Sequence, residues 1–440
     1  MGNQKIFVFD PHSNARPFLS SYLANRKLMK AAGLGLIILS IQSLFTTAHA
    51  EDVLHRDYLT GNWGGQRDRL EQAGITPALT YTTDVAGNPF GGKRQDLSYA
   101  AQLGGSMSFD FEKLFGTKGL SFYAGGNWAG GTDLTTEAVG NLFQIQQVFA
   151  GRQARLVDLY LEQSLANDRY NIALGRLSSG ADFAALDLFG DYVSAGINGN
   201  PGSIGDNLPA FTAYPRAQWG IRGNADIADG WEVTLGAYNA DLSPLEDSNG
   251  GTDFSLRLDR GVLTMAQLSY SWNDQNSTGG LPGKVLAGGY GDSSKYAKVD
   301  DEDEDEDDEI FGNYGFYAIG QQQLTRETSD RGQGLTAWAA LTVNPDQTIN
   351  PVPLGLFAGL LYQGLFPNRD NDTTAFGLFY ASFSEDLEDQ DFELAMEINH
   401  RFQATPWLYI QPMAQYIIHP DGDPDIENAG VLGFELSVTF

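Results

Sequence analysis

The last ten residues, VLGFELSVTF from Val431 to Phe440, place a bulky apolar side chain at every second position: Leu432, Phe434, Leu436, Val438 and Phe440. Between them stand Gly433, Glu435, Ser437 and Thr439, all small or polar. Successive side chains of a strand point to opposite faces, so this segment forms a strand with one apolar and one polar face. Such a strand suits the wall of a membrane barrel or one sheet of an ordinary β-sandwich. The rest of the chain has to decide between the two.

The same alternation recurs upstream. Phe392, Leu394, Met396 and Ile398 alternate with Glu393, Ala395, Glu397 and Asn399, and Trp231, Val233, Leu235 and Ala237 with Glu232, Thr234, Gly236 and Tyr238. Leu408, Ile410, Pro412 and Ala414 alternate with Tyr409, Gln411, Met413 and Gln415. Roughly sixteen such segments begin near residues 78, 99, 119, 155, 169, 216, 231, 261, 284, 312, 334, 354, 374, 391, 406 and 431, each about as long as the 9–11 tilted residues that cross a bilayer. Several even-numbered segments are followed by short links such as ANDR, ADG and Ala404-Thr405, whereas odd-numbered ones precede longer links, including Ser178 to Pro215. An even strand count with short turns at one end and long loops at the other is the pattern of a bacterial outer-membrane barrel. A soluble sandwich or a propeller does not predict that rhythm, and no fixed-period repeat is present.

Composition agrees with an all-β, transmembrane antiparallel barrel. The chain has 440 residues, 52 of them glycine, with 12% aromatic and 42% hydrophobic residues, which is too polar for a helical membrane protein but suits a barrel with a wet lumen and aromatic girdles. Beyond residue 50 no run approaches the ~20 apolar residues of a spanning helix. Cysteine is absent, which removes disulfides, thiolate metal sites and cysteine nucleophiles. A formal charge of −29 argues against nucleic acid as a partner, because phosphate binding needs clustered Lys and Arg.

The first 50 residues read as a secretion signal. Arg26, Lys27 and Lys30 form a cationic flank, Ala31 to Leu39 is apolar, and Ala48-His49-Ala50 has the form of a cleavage site. Residues 1–28 contain Pro11 and Pro17 ahead of that signal, so translation starting at Met29 is the expectation. Residues 51–77 then form an amino-terminal segment with a short helix, and residues 78–440 the barrel.

The stretch LTGNWGGQRDRLEQAGI, Leu59 to Ile75, resembles the amino-terminal signature of the carbohydrate-selective porin family, the OprB family. LGR at Leu174 to Arg176, GNYGFYAIGQQQL at Gly312 to Leu324, GLFPNRDND at Gly364 to Asp372 and ELAMEINHRFQATPWLYIQPMAQYIIHP at Glu393 to Pro420 resemble the same family. The resemblance implies a sixteen-stranded outer-membrane barrel that passes small sugars such as glucose by passive diffusion. The terminal strand, ending in Phe440, resembles the signal by which the barrel assembly machinery recognises such proteins. Outer-membrane lipids and lipopolysaccharide are further expected partners, and the choice between monomer and trimer stays open.

Sugars carry hydroxyls that need donors and acceptors, and C–H faces that pack on aromatic rings, so a sugar pore interleaves the two at a narrow point. Segments that cannot be wall are the candidates for that narrowing, by folding inward. Asn141 to Gln153 offers Gln144, Gln147, Phe149 and Arg152, and Ala181 to Arg216 offers Asp182 and Phe183. Inward strand positions add Asp158, Tyr160, Glu162, Arg222, Arg401, Tyr409 and Gln411. The plain alternative is that the two long segments are exposed outer loops. The resemblance implies a constriction lined by Arg and acidic residues; Gln147 stands where an acid aligns, which leaves the charge balance open. Arg67 is expected to pin the amino-terminal helix near the periplasmic mouth.

The run Asp300 to Glu309 falls between the ninth and tenth strands, on the outer side, where ten consecutive acids form a hydrated loop. Loose divalent-cation binding and exclusion of anions are its functional readings; it has no EF-hand pattern. Catalysis finds little support. After cleavage only His55, His400 and His419 remain, and the motifs of zinc proteases, serine hydrolases and phosphate-binding loops are missing. No cofactor or metal is expected. A barrel hydrolase using His400 or His419 with a serine, and a surface adhesin, are the alternatives.

Overall fold

The computed structural model describes residues 50–273, 280–300, 309–327 and 332–440. Ala50–His55 is a short helix, and the chain from His55 onward forms one unit, the barrel. Its strands are β1 Ile75–Phe90, β2 Leu97–Asp110, β3 Leu120–Gly131, β4 Gln153–Leu165, β5 Tyr170–Leu177, β6 Gln218–Ala228, β7 Trp231–Asn239 and β8 Val262–Trp272. They continue as β9 Gly283–Tyr296, β10 Ile310–Gln323, β11 Gly334–Val343, β12 Leu354–Gln363, β13 Thr373–Ser382, β14 Phe392–Thr405, β15 Leu408–Ile418 and β16 Ala429–Thr439. Each pairs antiparallel with its sequence neighbours, and β1 pairs with β16 to close the sheet. Closure removes every unpaired edge, which a sheet in lipid requires because no water is there to satisfy a free N–H or C=O.

The terminal strand settles which way the faces point. Leu432 and Phe434 are 61% and 40% exposed, whereas Glu435 and Ser437 are 3% and 5% exposed. The apolar face is outside and the polar face inside, the reverse of a soluble sandwich. Leu174, Leu235 and Ile398 are exposed in the same way around the wall, and so wide an apolar exterior belongs against lipid. No helix among the described residues is long and apolar enough to span a membrane. Aromatic rings mark the two rims of the outer face. Trp231 stacks on Tyr270 at 4.6 Å near one rim, and Tyr380 stacks on Phe392 at 5.6 Å near the other, as interfacial girdles do.

The β4–β5, β6–β7 and β14–β15 links occupy residues 166–169, 229–230 and 406–407. Gly230 makes one of the two-residue links work: at φ +75 a Cβ there would lie 2.3 Å from the Ser271 carbonyl oxygen. At the opposite rim the β3–β4, β5–β6 and β7–β8 links are long, spanning 132–152, 178–217 and 240–261. β9 ends at Tyr296 and β10 begins at Ile310, and residues 301–308 of the acidic run expected between them fall outside the described residues. The first strand begins at Ile75, slightly ahead of the boundary expected at residue 78, directly after the helix Gln66–Gln72. Arg67 of that helix sits 3.6 Å from the Tyr58 ring and donates to the terminal Phe440 oxygen at 2.6 Å. It ties the amino-terminal segment to the last residue of the barrel.

Candidate functional site

The two segments singled out as non-wall both turn into the barrel. Two inward carboxylates of β14 receive them: Glu393 accepts the Leu142 and Phe143 N–H groups at 2.6 and 3.1 Å, and Glu397 those of Val193 and Ser194 at 2.9 and 2.7 Å. The loops also bind one another. Gln147 donates its backbone N–H to the Val193 oxygen at 3.0 Å, and Ala195 donates to the Gln144 oxygen at 2.8 Å. A carboxylate that takes two backbone donors satisfies loop N–H groups that no ladder reaches, so the β14 acids fix loop position as well as charge.

Tyr192 drives a wedge into the wall. Its hydroxyl donates to the Phe376 oxygen at 3.1 Å and accepts from Trp338 Nε1 at 2.8 Å, and its ring packs edge-on against Trp338 and Phe379. The seat exists because Gly359 lacks a side chain: a Cβ there would lie 2.6 Å from the Tyr192 hydroxyl. Phe143, Phe189, Val193 and Ile197 of the loops are buried with Ile319, Trp338, Phe357 and Phe379 of β10–β13. An apolar core therefore fills the lumen on the side of β10–β13, and the polar inward side chains cluster along β14–β16 and β1–β7.

Two groups of charges stand on that polar side. In the first, Arg401 pairs with Asp191 at 2.8 Å, donates to Gln411 Oε1 at 2.8 Å and to the Gly190 oxygen at 2.7 Å, and lies over the Tyr409 ring at 4.4 Å. Tyr409 and Gln147 share Glu435, donating to its two oxygens at 2.6 and 2.9 Å, and Gln411 donates to the Asp191 backbone oxygen at 2.7 Å. In the second group Arg222 pairs with Glu162 and with Asp182, each at 3.0 Å, and donates to Asn171 at 2.7 Å. Burial pushes the loop carboxyls Asp182 and Asp191 above the usual carboxylate range, and the guanidinium beside each, Arg222 and Arg401 respectively, opposes that rise.

The remaining expected residues are more scattered. Tyr160 stacks on Tyr123 with ring centroids 5.1 Å apart, and Asp158 is half-buried beside the Ser178 hydroxyl. Arg152 is exposed and donates to the Gly131 oxygen at 2.6 Å, while Phe149 is half-buried. The Gln144 side chain is half-buried too. Phe183 is fully buried edge-on against Tyr238, so its ring is shut away from channel water. Sequence reasoning placed Glu393 and Glu397 on the wet face but did not give them the loops to hold. Tyr192 was among the residues that the Ala181 to Arg216 segment offered, but its role as a wedge depends on a glycine far along the chain and was not foreseen. His400, raised as a possible base, is held between Phe366 and Phe402, hydrogen-bonded to Thr374 at 2.7 Å, and so braces β13 against β14.

Comparison with known proteins bears on what this arrangement is for. The family model of the carbohydrate-selective porins, OprB family, matches residues 94–440, beginning after the Leu59 to Ile75 stretch. Porin B of Pseudomonas aeruginosa is 27% identical over 450 residues, covering 92% of this chain and 96% of that protein. The putative porin QuiX of Acinetobacter baylyi is 24% identical, covering 88% and 93%. Among solved structures, OprB of Pseudomonas putida at high pH superposes with a TM-score of 0.81 at 24% identity, covering 88% of this chain and 99% of that one; it shows the same fold. With a closed sixteen-stranded wall, loops folded into its lumen and a family match across most of its length, the chain belongs to the OprB family of carbohydrate-selective porins and is an outer-membrane channel for sugars.

Proposed function

We propose that sugars are selected where the two inward loops meet the polar wall, and that Arg401 is the principal donor of this filter. The observation that carries the reading is how firmly Arg401 is held. Asp191, Gln411, the Gly190 oxygen and the Tyr409 ring fix its guanidinium on separate sides, and 18% of its side chain still reaches solvent. A donor that is already positioned exchanges water for a sugar hydroxyl without first losing side-chain freedom. The Arg222, Glu162 and Asp182 group supplies a second set of fixed donors and acceptors. Mixed charge suits neutral, hydroxyl-rich solutes, because neither ion is attracted strongly enough to occupy the path. Passage needs no catalytic group, and the protein acts as a conduit, not a hydrolase.

Planar-bilayer current with added glucose tests the reading. Wild-type channels carry an ohmic current that glucose reduces in a saturable way, and Arg401→Gln shifts that block to higher glucose. Equal block in the two proteins would remove Arg401 from the filter.

A further inference from the structure

A further tyrosine, Tyr214, borders the lumen beside the polar wall. Tyr214 belongs to the inward 178–217 loop, yet it is 51% exposed, unlike the loop's buried Phe183, Phe189 and Tyr192. Its hydroxyl accepts from Asn127 Nδ2 at 3.2 Å, and the same amide donates to Gln102 Oε1 at 2.9 Å. Gln102 in turn donates to the Val148 oxygen of the other inward loop at 2.6 Å. A chain of buried amides thus ties Tyr214 to both the wall and the second loop. An exposed ring held in this way has a fixed, wet face.

Tyr214 borders a lumen cavity of about 250 Å³, shared with Tyr123 and with the polar groups of Gln102, Thr82 and Ser106. Glycines form its floor. A Cβ at Gly104 would lie 2.5 Å from the Tyr214 hydroxyl, and one at Gly125 would lie 3.3 Å from the Tyr123 ring and 3.8 Å from an Asp158 oxygen. Tyr123 is backed by Tyr160, its register partner on β4, through the 5.1 Å stack. The cavity therefore has rings on two sides, acceptors and donors between them, and a floor kept free of side chains.

We propose that this cavity is a second sugar subsite, distinct from the Arg401 group, in which the C–H face of a single pyranose ring packs on Tyr214 while Gln102, Thr82 and Ser106 exchange hydrogen bonds with its hydroxyls. The proposal rests on the sugar-filter reading and adds a named site to it. A rigid aromatic face with a few convergent polar groups is the recognition pattern that an amphipathic ring-shaped solute requires. Two subsites in series also let a solute leave one as it reaches the next, which keeps binding compatible with passage.

The test is glucose-dependent block and current noise in full-length channels carrying Tyr214→Ala or Tyr214→Phe, each first shown to be folded by heat-modifiable migration in SDS gels. Tyr214→Ala raises the half-blocking glucose concentration roughly threefold to tenfold, the weight of one aromatic contact. Tyr214→Phe keeps the ring but loses the acceptor for Asn127 that holds it, so its half-blocking concentration falls between those of wild type and Tyr214→Ala. Block unchanged in Tyr214→Ala, with the wild type still blocked, overturns this subsite alone. Block lost equally in Tyr214→Phe also overturns it, since the hydroxyl and not the face would then be responsible. A wild type that glucose never blocks rejects the underlying filter instead.

Discussion

Glu397→Ala separates the loops from the wall without touching the barrel's own ladder. Glu397 takes the backbone N–H groups of Val193 and Ser194, and also the side-chain amides of Asn399 at 2.6 Å and Gln415 at 3.2 Å. The two amides have fallback acceptors, the Asp191 and Ile145 oxygens. The two backbone donors do not gain one from alanine. Stranding a buried donor costs about 1–3 kcal/mol, so the pair costs about 2–6 kcal/mol together. Since each 1.4 kcal/mol is a factor of ten, even the lower figure shifts the docked-to-undocked ratio of this loop segment by roughly 30-fold. Undocked loop widens the path. In planar bilayers the variant should show higher mean single-channel conductance, more open-channel noise and weaker glucose block, while heat-modifiable migration reports an intact barrel. Wild-type conductance and block in a folded Glu397→Ala protein would refute the role given to this carboxylate.

Other perturbations address the charges. Burial raises the Asp191 carboxyl above the ordinary range, against the pull of Arg401, so on acidification it takes up a proton earlier than surface carboxylates and leaves Arg401 without a counter-charge. Cation preference, read from reversal potentials, should fall as the pH is lowered through that range, and Asp191→Asn should show the reduced preference already at neutral pH. Arg222→Gln leaves Glu162 and Asp182 facing each other without a cation; lower unfolding temperature together with raised cation selectivity is the expected result. Gln147→Glu would set a second carboxylate where the amide now meets Glu435 at 2.9 Å. Like-charge repulsion there should displace the loop and change glucose block, and an unchanged channel would contradict the contact.

Much of the wall was legible in the residues. The alternating segments begin within a few residues of the strands, and β14 and β16 show outward Ile398 and Leu432 against inward Glu397 and Glu435, as periodicity requires. Other strands were harder to assign to faces. In β12 the sequence LGLFAGLLYQ is apolar on both sides because inward Phe357 packs on the loops while Leu356 and Leu360 face outward. A strand whose inner face packs on apolar loops and whose outer face is apolar for lipid loses its period-two signal. The site was legible by residue type but not by partner. Arg222 and Glu162 lie 60 positions apart and meet through the register of β4, β5 and β6, in which both stand beside Ala173, whereas Gln147 and Glu435 lie 288 apart and meet only because β1 closes on β16. Gln147 gains its meaning from that closure: an amide at this position donates to Glu435, whereas the acid that the family resemblance implied would repel it.

Liposome swelling with size-matched solutes tests the central claim most directly. Proteoliposomes containing the full-length protein are diluted into isotonic glucose, a disaccharide or a gluconate salt, and the initial rates are compared. The account gives rapid swelling in glucose, slower swelling in the disaccharide, and a gluconate rate well below that of glucose despite its similar size. Swelling that tracks solute size alone, or none in glucose, would contradict a sugar-selective channel built from the Arg401 and Arg222 groups.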